Sequence, residues 1–138
     1  MRPTQHLNRY GLDIEAIEQD KLSSRLRTLW HKGQELPDMA ALKKKADAFM
    51  DKVQYLEDEL REVEQDNVRQ AVVLRSVRPL EEKSTRSYYE VLVQQNGETR
   101  LQRLQYDARS GDTEPTDFVM TDRLLERLAG DLEALSEQ

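Results

Sequence analysis

Chemistry near neutral pH draws most often on histidine and cysteine, and this chain has two histidines and no cysteine in 138 residues. Without a thiol, disulfide frameworks, thiolate metal sites and cysteine nucleophiles are excluded. His6 stands near the start of the chain and His31 beside Lys32, and no other histidine lies at ligand spacing from either. His31 reads as a cation in the last turn of a helix, where the dipole favours positive charge. Asp58, Glu59 and Glu62 group carboxylates that suit a divalent cation, but their spacing fits a solvated helix face better. Ser110-Gly111-Asp112 lacks the regular oxygen spacing of a calcium loop. No glycine loop suited to phosphate and no nucleophile elbow occurs. The expectation is a protein that is not an enzyme, with no catalytic residues, no metal ligands and no cofactor.

One other combination has chemical content. Arg86, Tyr88, Tyr89, Arg100 and Arg103 put arginines beside aromatic rings, as surfaces that hold single-stranded nucleic acid do. Neighbouring strand residues face opposite ways, so only one of the two tyrosines can join a given platform. The candidate sheet surface is therefore Arg86, Tyr88, Arg100 and Arg103. The formal net charge of −6 argues against a general nucleic-acid binder, which needs a basic surface. That charge is uneven. Residues 68–110 carry eight Lys/Arg against five Asp/Glu, and residues 111–138 carry two against eight. A basic sheet beside an acidic tail suits mixed-sign solvated faces first, and self-association second.

The elements that must position these residues follow from periodicity. Residues 1–11, with Pro3 and Gly11 as breakers, read as a loosely ordered N-terminus. From residue 12 to 32, Ile14, Ile17, Leu22, Leu26, Leu29 and Trp30 recur at three to five residues, which predicts a helix ended by Gly33 and Pro37. Asp38 then caps a second helix. Met39, Leu42, Ala46, Phe49, Val53, Leu56, Leu60 and Val63 alternate at spacings of three and four, an a/d heptad pattern. Glu57 and Arg61 have the favourable i, i+4 order on such a helix. A helix over residues 38–65 would be about 42 Å long, more than a domain of this size can cover. These eight residues are the candidate helix-interaction seam.

After Asp66-Asn67 the period shortens. Ala71-Val72-Val73-Leu74 and Tyr88 to Val93 read as strands, and Asn96-Gly97 as a two-residue hairpin turn pairing Leu92 with Leu101 and Glu90 with Arg103. Leu125, Leu128, Leu132 and Leu135 predict a last helix over 121–137, capped by Thr121 or Asp117. The segment from Tyr89 through Asn96-Gly97 to Gly111 resembles the closing hairpin of PepSY-type domains, which are small and often extracytoplasmic. The helix–sheet–helix order is similar to prefoldin-like chaperone subunits, although the last helix is too short for their second coiled-coil arm. Neither resemblance amounts to a family assignment.

The expected architecture is one α+β domain over residues 12–138. It comprises a helical hairpin and coiled-coil arm (12–66), a three- to four-stranded antiparallel meander (68–120) and a C-terminal amphipathic helix (121–137). The expected function is a non-enzymatic interaction or assembly module, such as an adaptor or chaperone-like subunit. It would form a homodimer through the heptad seam, with another protein as the other possible partner. The alternative is a nucleic-acid-associated regulator using the basic sheet. No segment reaches the roughly 20 apolar residues that span a bilayer, and no signal sequence is evident, so no membrane partner and a soluble, cytoplasmic location are expected.

Overall fold

In the stretch read above as the first helix, two runs alternate with period two: Leu12, Ile14 and Ala16, then Ser24 and Leu26, each buried between exposed or half-buried neighbours. That alternation belongs to strands with one face covered. Between the runs, Asp20 accepts hydrogen bonds from the backbone N–H groups of Leu22 and Ser23, both at 2.9 Å, and makes a tight turn. Those bonds lower the Asp20 carboxyl's pKa. Leu22, counted above as part of an apolar helix face, is 76% exposed at the tip of this turn. The predicted helix over 12–32 is thus a hairpin, because the three-to-five spacing joined residues from two strands.

The computed structural model describes residues 3–56 and 59–136. It contains β1 (Gln5–Arg9), β2 (Leu12–Gln19), β3 (Ser23–Lys32), α1 (Met39–Lys52), β4 (Leu60–Asp66) and β5 (Ala71–Ser76). Then follow β6 (Leu80–Glu82), β7 (Thr85–Gln94), β8 (Glu98–Asp107), β9 (Thr113–Thr116), β10 (Phe118–Thr121) and α2 (Asp122–Ser136). The strands form one antiparallel sheet in the order β1-β2-β3-β8-β7-β5-β4. β3 and β8 pair over Thr28–Lys32 and Glu98–Gln102. Beyond that point β9 pairs with β8 and β10 with β3, so the two short strands fill the wedge between them.

Three expectations are overturned. Residues 1–11 are not all loose, since β1 pairs with β2 through a turn in which Tyr10 and Gly11 both have positive φ. The protein is dominated by antiparallel sheet, without an N-terminal helical hairpin. The long heptad helix is also absent: α1 has 14 residues and ends at Lys52. Leu42, Ala46, Phe49, Val53, Leu56 and Leu60 are buried within the chain, Met39 is partly buried, and Val63 is 42% exposed on β4. No coiled-coil seam is left for a second chain. Glu57 and Asp58 lie outside the described residues. The pattern misled because Val53 and Leu56 keep the heptad count after the helix has ended. Their burial comes from a chain that turns back toward the sheet.

Both helices lie on one face of the sheet. α1 packs on β4, β5 and β7, α2 on β3 and β10, and the helices touch each other. Asp38 caps α1 by accepting from Ala41 N–H at 2.9 Å, and Thr121 does the same for Leu124 N–H at 3.1 Å at the start of α2. Just past α1, the Tyr55 hydroxyl donates to Asp131 of α2 at 2.6 Å, under the Arg127 guanidinium. Burial and then the Asp131 carboxylate hold the phenol proton well above its usual range.

The β7–β8 connection has three residues rather than two. Leu92 therefore opposes Arg100 and Glu90 opposes Gln102, one position away from the expected register. Gly97 is the reason. Its φ is +96°, and a Cβ there would lie 2.6 Å from the Gln34 carbonyl oxygen. The turn must therefore close against the chain leaving β3, and it does so with a glycine in the left-handed region at its end. Gly97→Ala is expected to cost about 2 kcal/mol or more. Gly111→Ala, with φ +76° but open space around it, is expected to cost nearer 1 kcal/mol. Urea denaturation of both variants checks this, and equal losses would mean that the close approach contributes nothing.

Candidate functional site

With both helices on one face, the other face of the sheet has no helix over it. In-register partners point to the same side, so the pairings identify this face. One row runs Arg61–Arg75–Glu90–Gln102–Thr28, and another runs Val73–Leu92–Arg100–Trp30. Ala71, Val73 and Leu92 form a small buried apolar cluster of their own here. At the start of β7 the face presents Tyr88 opposite Leu104 and Arg86 opposite Tyr106.

That end holds a groove of about 340 Å³, whose lining includes Arg61, Arg75, Arg86, Tyr88 and Tyr106. A neighbouring hollow of about 320 Å³ shares Ser76, Pro79 and Tyr88 with it and adds Arg78 and Arg103. Neither lining contains a carboxylate. In a chain with 27 acidic and 21 basic residues, five arginines line these two hollows, and the carboxylates bonded to Arg75 and Arg86 lie outside the linings. The arginines are not equivalent. Arg75 donates to Glu90 at 3.0 Å and lies 5.6 Å from the Tyr88 ring centre, so it is already placed. Arg86 reaches Glu81 at 3.5 Å, with both side chains mostly exposed. Arg61 stands directly across from Arg75, and like charges in that relation repel. By contrast, the hollow beside the β8–β9 loop is lined by Asp107, Asp112 and Glu114.

Of the sequence-predicted sheet surface, Arg86 and Tyr88 come together in the groove. Arg103 faces the helix side, pairs in register with Tyr89, and lines the adjoining hollow. Arg100 lies beside Leu92 and Trp30, about 13 Å along β8 from the level of Tyr88. Three contributors were missed. Arg61 was placed on a helix, and neither Arg75 nor Tyr106 was grouped with the sheet arginines. Of the heptad residues, the other candidate set, Leu42, Ala46, Phe49, Val53, Leu56 and Leu60 are core, Met39 is partly buried, and Val63 lines the groove.

A second polar cluster lies beneath the helices. His31 is 3% exposed, and its Nε2 lies 3.0 Å from Glu133 Oε2 while Nδ1 has no partner. Across the strand pair, Thr99 is 2% exposed and its hydroxyl oxygen is also without a partner. His31 is therefore a buried strand residue and not the cation of a helix end. Burial closes it to a substrate, so the arrangement offers no accessible base. Among the described residues no three His, Asp or Glu side chains come together in a way that could hold a metal ion. Asp58 of the acidic set considered above lies outside those residues.

No protein-family model matches the chain, nor does a curated protein or a solved structure. Among the described residues no helix is long and apolar enough to cross a membrane.

Lys45 belongs to the same buried end. It is 7% exposed, and its ammonium donates to the Gly97 carbonyl at 3.4 Å, a weak bond. Loss of hydration, with Lys32 nearby, lowers its pKa from the usual lysine value of 10.5. Below that value the folded chain then binds fewer protons than the unfolded one, so this residue's penalty shrinks as pH rises through the alkaline range toward 10.5. Lys45→Met is expected to stabilise the protein at neutral pH, by roughly 1 kcal/mol at most, and to flatten the alkaline rise. Thermal melts from pH 7 to 10 check this. A less stable variant at pH 7 would show that the bond to Gly97 outweighs the lost hydration.

Proposed function

We propose that the protein is a non-enzymatic binding module that takes an anionic partner at the arginine-lined end of its open sheet face. The observation that carries this reading is the groove between Arg61, Arg75 and Arg86, lined also by Tyr88 and Tyr106 and by no carboxylate. Placement on a sheet supports it, because strands hold side chains more rigidly than loops do. The Arg75–Glu90 bond further fixes one cation in advance. The inaccessible His31 favours binding over catalysis for this surface. Of the heptad residues only Val63 lines the groove; Leu42, Ala46, Phe49, Val53, Leu56 and Leu60 are used in the core.

The net charge of −6 limits the partner. A long polyanion laid across the whole surface would meet repulsion, whereas a short anionic segment confined to the groove would meet mainly arginine. Binding should therefore be local, modest and sensitive to salt. Titration with a short-chain inorganic polyphosphate at low salt should show binding that weakens as salt rises. Arg61→Gln/Arg86→Gln should reduce it at least tenfold, since both side chains are exposed and their loss disturbs no core contact. Absence of binding by the native protein at low salt would end the reading, as would unchanged binding by the double variant.

A further inference from the structure

We infer that the groove's ligand is a nucleoside phosphate, with the phosphate beside Arg61 and Arg75 and the base on the ring of Tyr106; this rests on the anion-binding reading above. Arg61 and Arg75 face each other across β4 and β5, and only Arg75 is bonded to a carboxylate at that level, so a bound anion would relieve their repulsion. Arginine's planar fork suits phosphate oxygens better than a point charge does. The two tyrosines differ. The Arg75 guanidinium lies over the Tyr88 ring, whereas Tyr106 has no ring or cation contact among the described residues and still lines the groove. Tyr106 pairs in register with Arg86 on one side and Thr113 on the other, so its ring stands next to a cation. An aromatic ring beside arginines on an antiparallel sheet can stack a base of any identity, and the backbone phosphate then meets the positive charge. The groove volume of about 340 Å³ falls near the lower end of small-ligand sites, which span roughly 300–1,000 Å³. That size admits one nucleotide unit, whether free or part of a single strand.

The test uses the full chain and three probes: a nucleoside monophosphate, a short labelled oligothymidylate, and inorganic polyphosphate of similar charge. The native protein is expected to bind at least one nucleotide probe more tightly than polyphosphate. Tyr106→Ser should weaken nucleotide binding about 5- to 150-fold, the range of one base–aromatic stack, and leave polyphosphate binding unchanged. Tyr106→Phe should retain nucleotide binding, which separates loss of the ring from a failure to fold. Arg61→Gln should weaken all binding and lower the salt slope for the oligonucleotide by roughly 0.7. If polyphosphate binds as tightly as both nucleotide probes, or if Tyr106→Ser weakens all three alike, the nucleoside inference fails while the anion-binding reading stands. If none of the three binds, both fail. Binding of the monophosphate would identify a free nucleotide as a sufficient ligand. Binding of the oligonucleotide alone would assign the site to a strand, and either result supports the shared chemistry.

Discussion

The short loop Gln95-Asn96-Gly97 is the constraint on which the rest of this sheet depends. Gly33 N–H donates to the Gly97 carbonyl at 2.8 Å, and Leu36 N–H to the Gln95 carbonyl at 2.7 Å. Gln95 N–H donates to the Gln70 carbonyl at 2.9 Å, and Lys32 Nζ to the Asn96 carbonyl at 2.8 Å. One connection thereby ties together the end of β3, the approach to α1 and the turn into β5. It also sets register: a sheet has a side-chain period of two, so a slip of one residue exchanges the faces of a strand. With three residues in the loop, Leu101 joins Val91 under the helices, while Arg100 joins Leu92 on the open face. The same choice puts Tyr106 beside Arg86.

Covering one face only divides the burden of burial unequally. The helices bring Leu42, Phe49, Leu125, Leu128 and Leu132 onto one side of the sheet, where they are almost fully removed from water. That side also includes Ser24, His31, Lys45 and Thr99, all buried. Unpaired groups such as the Thr99 hydroxyl and His31 Nδ1 cost stability in that position. The open face carries no such penalty, because its charged groups keep their hydration. A surface free of packing demands can collect arginines, and the groove lies there.

Much of the local structure was legible in the sequence, and the architecture was not. Asp38 as a helix cap, the hairpin at Asn96-Gly97 and the stripe of Leu125, Leu128, Leu132 and Leu135 each depend on neighbours in sequence. The first half failed because two periods can fit the same residues. Leu12, Ile14 and Ala16 alternate, yet with Ile17 and Leu22 they also satisfy a loose helical spacing. Irregular pairing around Ala16 in β2 disturbs the alternation further. The heptad run failed for a related reason: burial at Val53 and Leu56 is real, but spacing does not record whether the backbone between them is still helical. For the candidate site, Arg86 and Tyr88 were visible as types on a strand. Arg61 was out of reach, because its place beside Arg75 depends on β4 pairing with β5 and not on any local signal.

The basic groove is also a consequence of where carboxylates are used elsewhere. Asp66 is occupied by Val68 N–H, Arg69 N–H and the Arg69 side chain, Glu62 lies on the helix side within 3.4 Å of Lys43 Nζ, and Asp131 and Glu133 face Tyr55 and His31. Among the described residues Glu90 alone reaches into the Arg61–Arg75 row, and it bonds Arg75. A sheet with abundant acid thus leaves Arg61 facing a like charge. Opposed cations of this kind lower stability unless something negative comes between them. In water the cost is small, since solvent screens charges at an open surface. An anion bound as proposed would change that balance, because it would displace water from the row and see both guanidinium groups at short range. The repulsion in the free protein is modest because the site is wet, and any attraction for an anion would have the same origin.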